Sequence, residues 1–156
     1  MYATSHLFFL GDLNFRVTLP PSHPAAQVSN PHNILAVLKD DVSRERLKEF
    51  DQLLDQRRKG TVFIGLREGP FWTFKCTYKY KLGEVDQYEY VICPSRLRLL
   101  TKVDSTKRTP SWTDRIMYAT HTDSPETPEK SNIANILYTS IPSYVTSDHV
   151  SLLITT

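Results

Sequence analysis

Two short apolar runs near opposite ends of this 156-residue chain constrain its fold most, because each carries a knot of polar residues at one end. The run from His6 to Leu10 reads as a buried strand that delivers Gly11-Asp12-Leu13-Asn14-Phe15-Arg16 at its carboxyl end. A second strand, Val150 to Ile154, is preceded directly by Thr146-Ser147-Asp148-His149. Strand ends are where reactive groups gather. The residue types suit one chemistry. Asp12 can orient or deprotonate a water, Asn14 can hold that water or a substrate oxygen, and His149 can donate to a developing anionic oxygen. Asp148 offers a hard oxygen ligand to magnesium. These are the parts of a metal-assisted hydrolysis of a phosphate ester. Taken alone, Gly-Asp-x-Asn is also an ordinary turn after a strand, since all three residue types favour turns.

A third segment adds weight. Thr109-Pro110-Ser111-Trp112-Thr113-Asp114-Arg115-Ile116 leads into an apolar stretch, so Asp114 and Arg115 also stand at a strand entrance. The ordered set Gly-Asp-Leu-Asn-Phe-Arg, Thr77-Tyr78-Lys79-Tyr80, Pro-Ser-Trp-Thr-Asp-Arg and Ser-Asp-His resembles the inositol polyphosphate 5-phosphatases of the endonuclease/exonuclease/phosphatase superfamily. The likeness runs from Leu7 to Leu153 and includes the stretch Gly60 to Glu68.

The resemblance implies an α/β fold, half of a four-layer α/β sandwich with mainly antiparallel sheet. Catalytic domains of the family are about twice as long, and their amino-terminal half supplies a metal-binding Glu, an Asn-rich strand and a further His. Residues 1–156 are therefore expected to be the carboxyl-terminal half of such a domain, starting at an internal Met1, with one sheet, a helix and an uncovered apolar face.

It also implies roles. Among the catalytic set, Asp12 matches the carboxylate that activates the attacking water and Asn14 the amide that holds it in line. His149 matches the imidazole that hydrogen-bonds the scissile phosphate, and Asp114 the carboxylate that orients that imidazole. Asp148 lies beside the metal, Mg2+. Tyr78, Lys79 and Arg108 match the groups that hold a phosphate at the inositol 4-position, where charge-assisted hydrogen bonds are strong. Arg16 either supports the site or contacts phosphate, and both roles stay open at this point. Cys76 stands where the family usually has Pro, and Leu66 where it has an aromatic. The implied reaction is magnesium-dependent removal of the 5-phosphate from phosphatidylinositol 4,5-bisphosphate or a soluble inositol polyphosphate, at the cytosolic face of a membrane in the lipid case. Two alternatives are a truncated copy that binds anionic phosphoinositide without turnover and an abasic-site nuclease of the same superfamily. Tyr78-Lys79 and the Trp112-x-Asp114-Arg115 motif argue against the nuclease.

Composition narrows the classes further. A net charge of +2 is too small to argue for a nucleic-acid partner. Cys76 and Cys93 have no metal-type spacing and form no disulfide framework, which fits a reducing, cytoplasmic setting. No apolar run reaches the roughly 20 residues of a membrane-spanning helix.

Between the motifs, four prolines make residues 19–33 a loop. Leu47, Phe50, Leu53, Leu54 and Arg57 follow a helical spacing that predicts one helix from Val42 to Lys59, closed by Gly60. Its terminal Arg57, Arg58 and Lys59 are read as structural, complementing the helix dipole. The aromatics of residues 61–82 suit packing over base stacking, and Trp112 is read as core. Residues 83–108 read as a loop with little structure, 120–130 as a surface loop, and Ile116–Ala119, Ile133–Thr139 and Val150–Ile154 as strands.

Overall fold

The computed structural model describes residues 5–23, 32–89, 109–123, 131 and 133–156. The strand order explains the rest of the architecture. β1 (His6–Asp12), β2 (Arg67–Glu68) and β3 (Asp114–Thr120) form one antiparallel sheet in the order β1-β3-β2, and β4 (Leu137–Ile141) and β5 (Ser151–Thr155) form a second antiparallel pair. Among the described residues, three short helices lie between β1 and β2: α1 (His32–Lys39), α2 (Asp41–Leu47) and α3 (Gln52–Arg58). The described residues thus hold two sheets where the sequence led us to expect one.

β3 takes the centre of its sheet because Ile116 to Thr120 are all buried and both of its edges are hydrogen-bonded. β1 is a strand as expected, but it is not buried. It occupies an edge, and Phe8, Phe9 and Leu10 are 43%, 45% and 64% exposed. An apolar run cannot by itself tell which side of a sheet a neighbour will cover. Pairing does settle the register: Leu10 lies opposite Ile116 and Asp12 opposite Asp114. Two site carboxylates from residues 102 positions apart are brought together by that one ladder.

The predicted helix from Val42 to Lys59 is broken. α2 gives way to a short 3-10 turn, Lys48–Phe50, and the chain turns extended at Asp51 (φ −75°, ψ 122°) before α3 begins. The apolar spacing is that of a helix, yet tertiary demands on Asp51 win. Its carboxylate caps α3 by accepting from the Leu54 N–H at 2.9 Å and also receives Arg115 Nη1 at 3.0 Å. The backbone around it pairs with the segment after β1, through Thr18 N to Phe50 O and Gln52 N to Arg16 O, both 2.9 Å. Leu47 and Leu53 are still buried, Leu47 in one cluster with Val17, Leu38, Phe71, Phe74 and Trp112. Asp40 caps α2 through the Ser43 N–H at 2.7 Å.

Other expectations shift at their edges. α1 begins at His32, inside the segment read as a loop up to residue 33, and no helix was predicted across residues 34–39. β4 starts at Leu137 and not at Ile133, because its partner β5 ends at Thr155, which pairs with Leu137. Residues 84–89 are not featureless: Tyr88 bridges Tyr80, and Lys81 N donates to Gln87 O at 2.8 Å. Arg57, Arg58 and Lys59 pair with Glu68, Glu49 and Asp55, as a structural role requires. Residues 90–108, and with them Cys93, lie outside the described residues.

Candidate active site

Three strand ends converge here. Asp12 closes β1, Asp114 opens β3 across from it, and His149 stands two residues before β5. Thr77 to Tyr80 stitches the two sheets together. Tyr78 bridges Ser111 on one side and His149 on the other, Val150 N donates to Thr77 O, and Tyr80 N donates to Asp148 O, the last two at 2.9 Å.

His149 is held from one side and open on the other. Its Nδ1 lies 2.9 Å from Asp114 Oδ2. An ionised carboxylate can only accept, so Nδ1 carries the proton and Nε2 is left for the reaction. Nε2 is 4.0 Å from Asp12 Oδ2. The imidazole also packs on Tyr78, with ring centroids 4.6 Å apart. Asp114 in turn is fixed twice more: Thr113 Oγ1 donates to its Oδ2 at 2.9 Å, and its own N–H donates to Thr77 Oγ1 at 3.1 Å.

Asn14 stands in the left-handed region (φ 58°), which Asn tolerates better than most residues. Its N–H donates to Asp12 Oδ1 at 2.9 Å, so the Gly-Asp-x-Asn turn and the reactive carboxylate are one device. Arg16 lies beside this turn, and one of its guanidinium nitrogens, Nη1, is buried without a hydrogen-bond partner. The guanidinium donates to Asn14 Oδ1 and lies over the Tyr78 ring, 4.5 Å from its centroid.

Beneath the site, Trp112 is fully buried and its indole donates to Phe74 O at 3.0 Å. Arg115 is buried in an ion network with Asp51 and Glu68. Burial works against its charge, but Glu68 and Asp51 outweigh that and hold its pKa above the ordinary value. Burial pushes the Cys76 thiol well above its usual range, so it is inert as a nucleophile or ligand at neutral pH.

Asp12, Asp114 and His149 each place a ligand atom within 4.8 Å of the others, and this group could hold a cation. Its two carboxylates suit a hard divalent ion. Because Asp114 is already hydrogen-bonded to His149, Asp12 is the oxygen donor best placed to bind one. Asp148 is not in this group; its carbonyl is tied to Tyr80, and its charge acts on Lys79. Lys79 Nζ is 2.6 Å from Glu89, whose hydrogen bond raises the lysine pKa. Arg108 lies outside the described residues.

Thr77, Thr113 and Ser147, whose Oγ accepts from the His149 N–H at 3.0 Å, were quoted within the motifs but given no role. The available signal was a small hydroxyl residue set beside or near a site carboxylate or imidazole in each case.

A family model described as "Endonuclease/Exonuclease/phosphatase family 2" matches residues 1–153. Phosphatidylinositol 3,4,5-trisphosphate 5-phosphatase 1 of Xenopus laevis is 33% identical over 120 residues, covering 75% of this chain and 10% of that protein. Among solved structures, the inositol polyphosphate 5-phosphatase domain of SPsynaptojanin, in complex with inositol (1,4)-bisphosphate and a calcium ion, superposes with a TM-score of 0.66 at 26% identity. That match covers 98% of this chain and 34% of the solved one. Cimex nitrophorin in its ferrous NO complex gives a TM-score of 0.61 at 29% identity, over 97% of this chain and 41% of the other. The chain thus spans about a tenth of the first curated relative and a third of the synaptojanin domain. With its mixed α/β architecture and antiparallel sheets, it belongs to the endonuclease/exonuclease/phosphatase family, and its curated relatives include inositol polyphosphate 5-phosphatases.

Proposed function

We propose that the protein removes the 5-phosphate of phosphatidylinositol 4,5-bisphosphate or a related inositol polyphosphate, with magnesium as its metal. The observation that carries this reading is the His149 imidazole set between Asp114 on Nδ1 and Asp12 facing Nε2. Cimex nitrophorin, in a ferrous NO complex, shares this fold at 29% identity. Fold alone does not choose between such activities.

The residues divide the work. Asp12 takes the proton from water as its oxygen bonds to phosphorus and the ester P–O bond breaks. Asn14 spends its amide oxygen on Arg16, which leaves its NH2 group to hold that water or a phosphoryl oxygen. Protonated His149 donates from Nε2 to a phosphoryl oxygen whose charge grows in the transition state. Asp114 keeps the other ring nitrogen occupied and so fixes the donor's direction. Asp12, the oxygen donor best placed in the Asp12, Asp114 and His149 group, would contribute to holding the magnesium ion, which would supply charge stabilisation on the phosphoryl oxygens. Tyr78, Lys79 and Arg108 receive the neighbouring 4-phosphate. A lipid form of this substrate sets the reaction at the cytosolic face of a membrane.

Full-length protein should release inorganic phosphate from phosphatidylinositol 4,5-bisphosphate, and chelation of magnesium should stop it. Asp12→Ala and His149→Ala should each lower kcat by roughly 10²–10⁴-fold. Activity retained in either variant refutes the assigned roles, and lipid binding without phosphate release would favour a non-catalytic copy.

A further inference from the structure

Lys79 of the bridging segment and its neighbours Lys75 and Lys81 each face an acid from the same loop, residues 84–89. Lys75 pairs with Asp86, Lys79 with Glu89 at 2.6 Å, and Lys81 with Glu84 at 3.8 Å. The loop is held in place independently of these charges. Glu89 N donates to Lys79 O and Lys81 N to Gln87 O, both at 2.8 Å, while the Tyr88 hydroxyl donates to Cys76 O at 2.8 Å. Glu89 is thus fixed opposite Lys79 by backbone pairing, on a strand-like strap anchored by a half-buried tyrosine. Its carboxylate and the Lys79 ammonium both remain partly exposed, so an incoming anion can reach them. Asp148 adds a second, more distant negative charge on Lys79.

We propose that Glu89 is a specificity-determining residue: its carboxylate occupies Lys79 as an internal stand-in for the substrate's 4-phosphate, and only a phosphate monoester presented at the 4-position displaces it. This rests on Lys79 being the 4-phosphate group named above. A monoester phosphate carries close to two charges and three acceptor oxygens, against one charge on the carboxylate, so it competes for the ammonium where a hydroxyl does not. The strap lowers affinity for every ligand but costs the ligand lacking a 4-phosphate nothing at Lys79, since that ligand never contests the lysine.

The test is calorimetric binding of inositol (1,4)-bisphosphate and of inositol 1-phosphate to full-length protein, as wild type, Glu89→Gln and Glu84→Gln. Glu89→Gln keeps the side-chain shape and the backbone pairing while removing the charge. It should bind inositol (1,4)-bisphosphate roughly two- to fivefold tighter and inositol 1-phosphate unchanged, and Glu84→Gln should match wild type for both. Weaker or unchanged binding of inositol (1,4)-bisphosphate by Glu89→Gln would mean that Glu89 only steadies Lys79 or is idle, and would overturn the proposal. Equal tightening for both ligands, or no binding of inositol (1,4)-bisphosphate to any form, would overturn it as well. Vesicles of phosphatidylcholine with phosphatidylinositol 4-phosphate separate the sources of the phosphate. A shift for both soluble headgroup and vesicle supports the proposal, whereas a shift for vesicles alone would reflect general attraction to an anionic surface and overturn it. Because the readout is binding, the two readings fail separately: a shift without any hydrolysis retains Glu89 and removes the phosphatase, and hydrolysis without a shift does the reverse.

Discussion

Asp114 shows how much one side chain decides. It accepts from His149 and from Thr113 on the same Oδ2 atom while its N–H is given to Thr77. In Asp114→Asn the size is kept, but the neutral amide no longer balances the charge of a protonated imidazole, and either end of it can face Nδ1. The Nε2 donor is then weaker and less firmly aimed at a phosphoryl oxygen. We expect kcat to fall roughly 10²–10⁴-fold with KM little changed, measured by steady-state phosphate release. A matching rise in KM would instead show that Asp114 contacts the substrate. Asp114 and Asp12 were both legible from sequence because each sits at the end of an apolar run. The hydroxyls of Thr77, Thr113 and Ser147 were not, since hydroxyl residues are common in turns and nothing local marks which of them point at a carboxylate.

At the scale of elements, the decisive object is the Arg115 network. Its guanidinium makes a bidentate contact with Glu68 of β2, Nε at 2.6 Å and Nη2 at 2.9 Å, and reaches Asp51 at the head of α3. β2 and α3 are thereby tied to β3 at the residue after Asp114, and the break between α2 and α3 is part of that tie. Removing one partner of a buried ion network leaves the others charged and unpaired in the interior. Arg115→Met should therefore destabilise the folded protein by about 3–5 kcal/mol, read from denaturant melts. A loss below about 1 kcal/mol would mean that Asp51 and Glu68 find water or other donors, and that the network does not hold the β3 entrance. Helical spacing from Leu47 to Arg57 was visible in the sequence, but the break was not, because it depends on an arginine 64 residues away from Asp51.

Over the whole molecule, burial is uneven. The face around β3 has a packed core with Trp112, Phe71 and Met117, whereas Phe8, Phe9 and Leu10 on the β1 edge stand open, and Ile136 and Leu137 are exposed at the start of β4. Each Å² of apolar surface left in water forgoes about 25 cal/mol, and contiguous exposed apolar patches mark interaction sites. The 156-residue polypeptide by itself is expected to bind a hydrophobic dye such as ANS and to melt broadly, measured by fluorescence and calorimetry. A sharp, cooperative transition with well-dispersed amide resonances would show that the core around Trp112 is sufficient. Among the described residues no helix is long and apolar enough to cross a membrane.

The chain's residues alone determined which chemistry is on offer: two carboxylates, an amide and an imidazole, each beside an apolar run that the backbone turns into a strand. Local physics suffices there, since alternation, turn-forming residues and strand ends are properties of neighbours in sequence. Only the tertiary structure decided what those groups do to one another. The β1–β3 register sets Asp12 across from Asp114, the Tyr78 bridge carries His149 to them, and Arg115 bends the helical segment at Asp51. It also put Phe8, Phe9 and Leu10 on an open edge and Glu89 on Lys79. Those outcomes join residues far apart in the chain, and they follow from which contacts the packed core can satisfy at once, a condition that no short stretch of sequence contains.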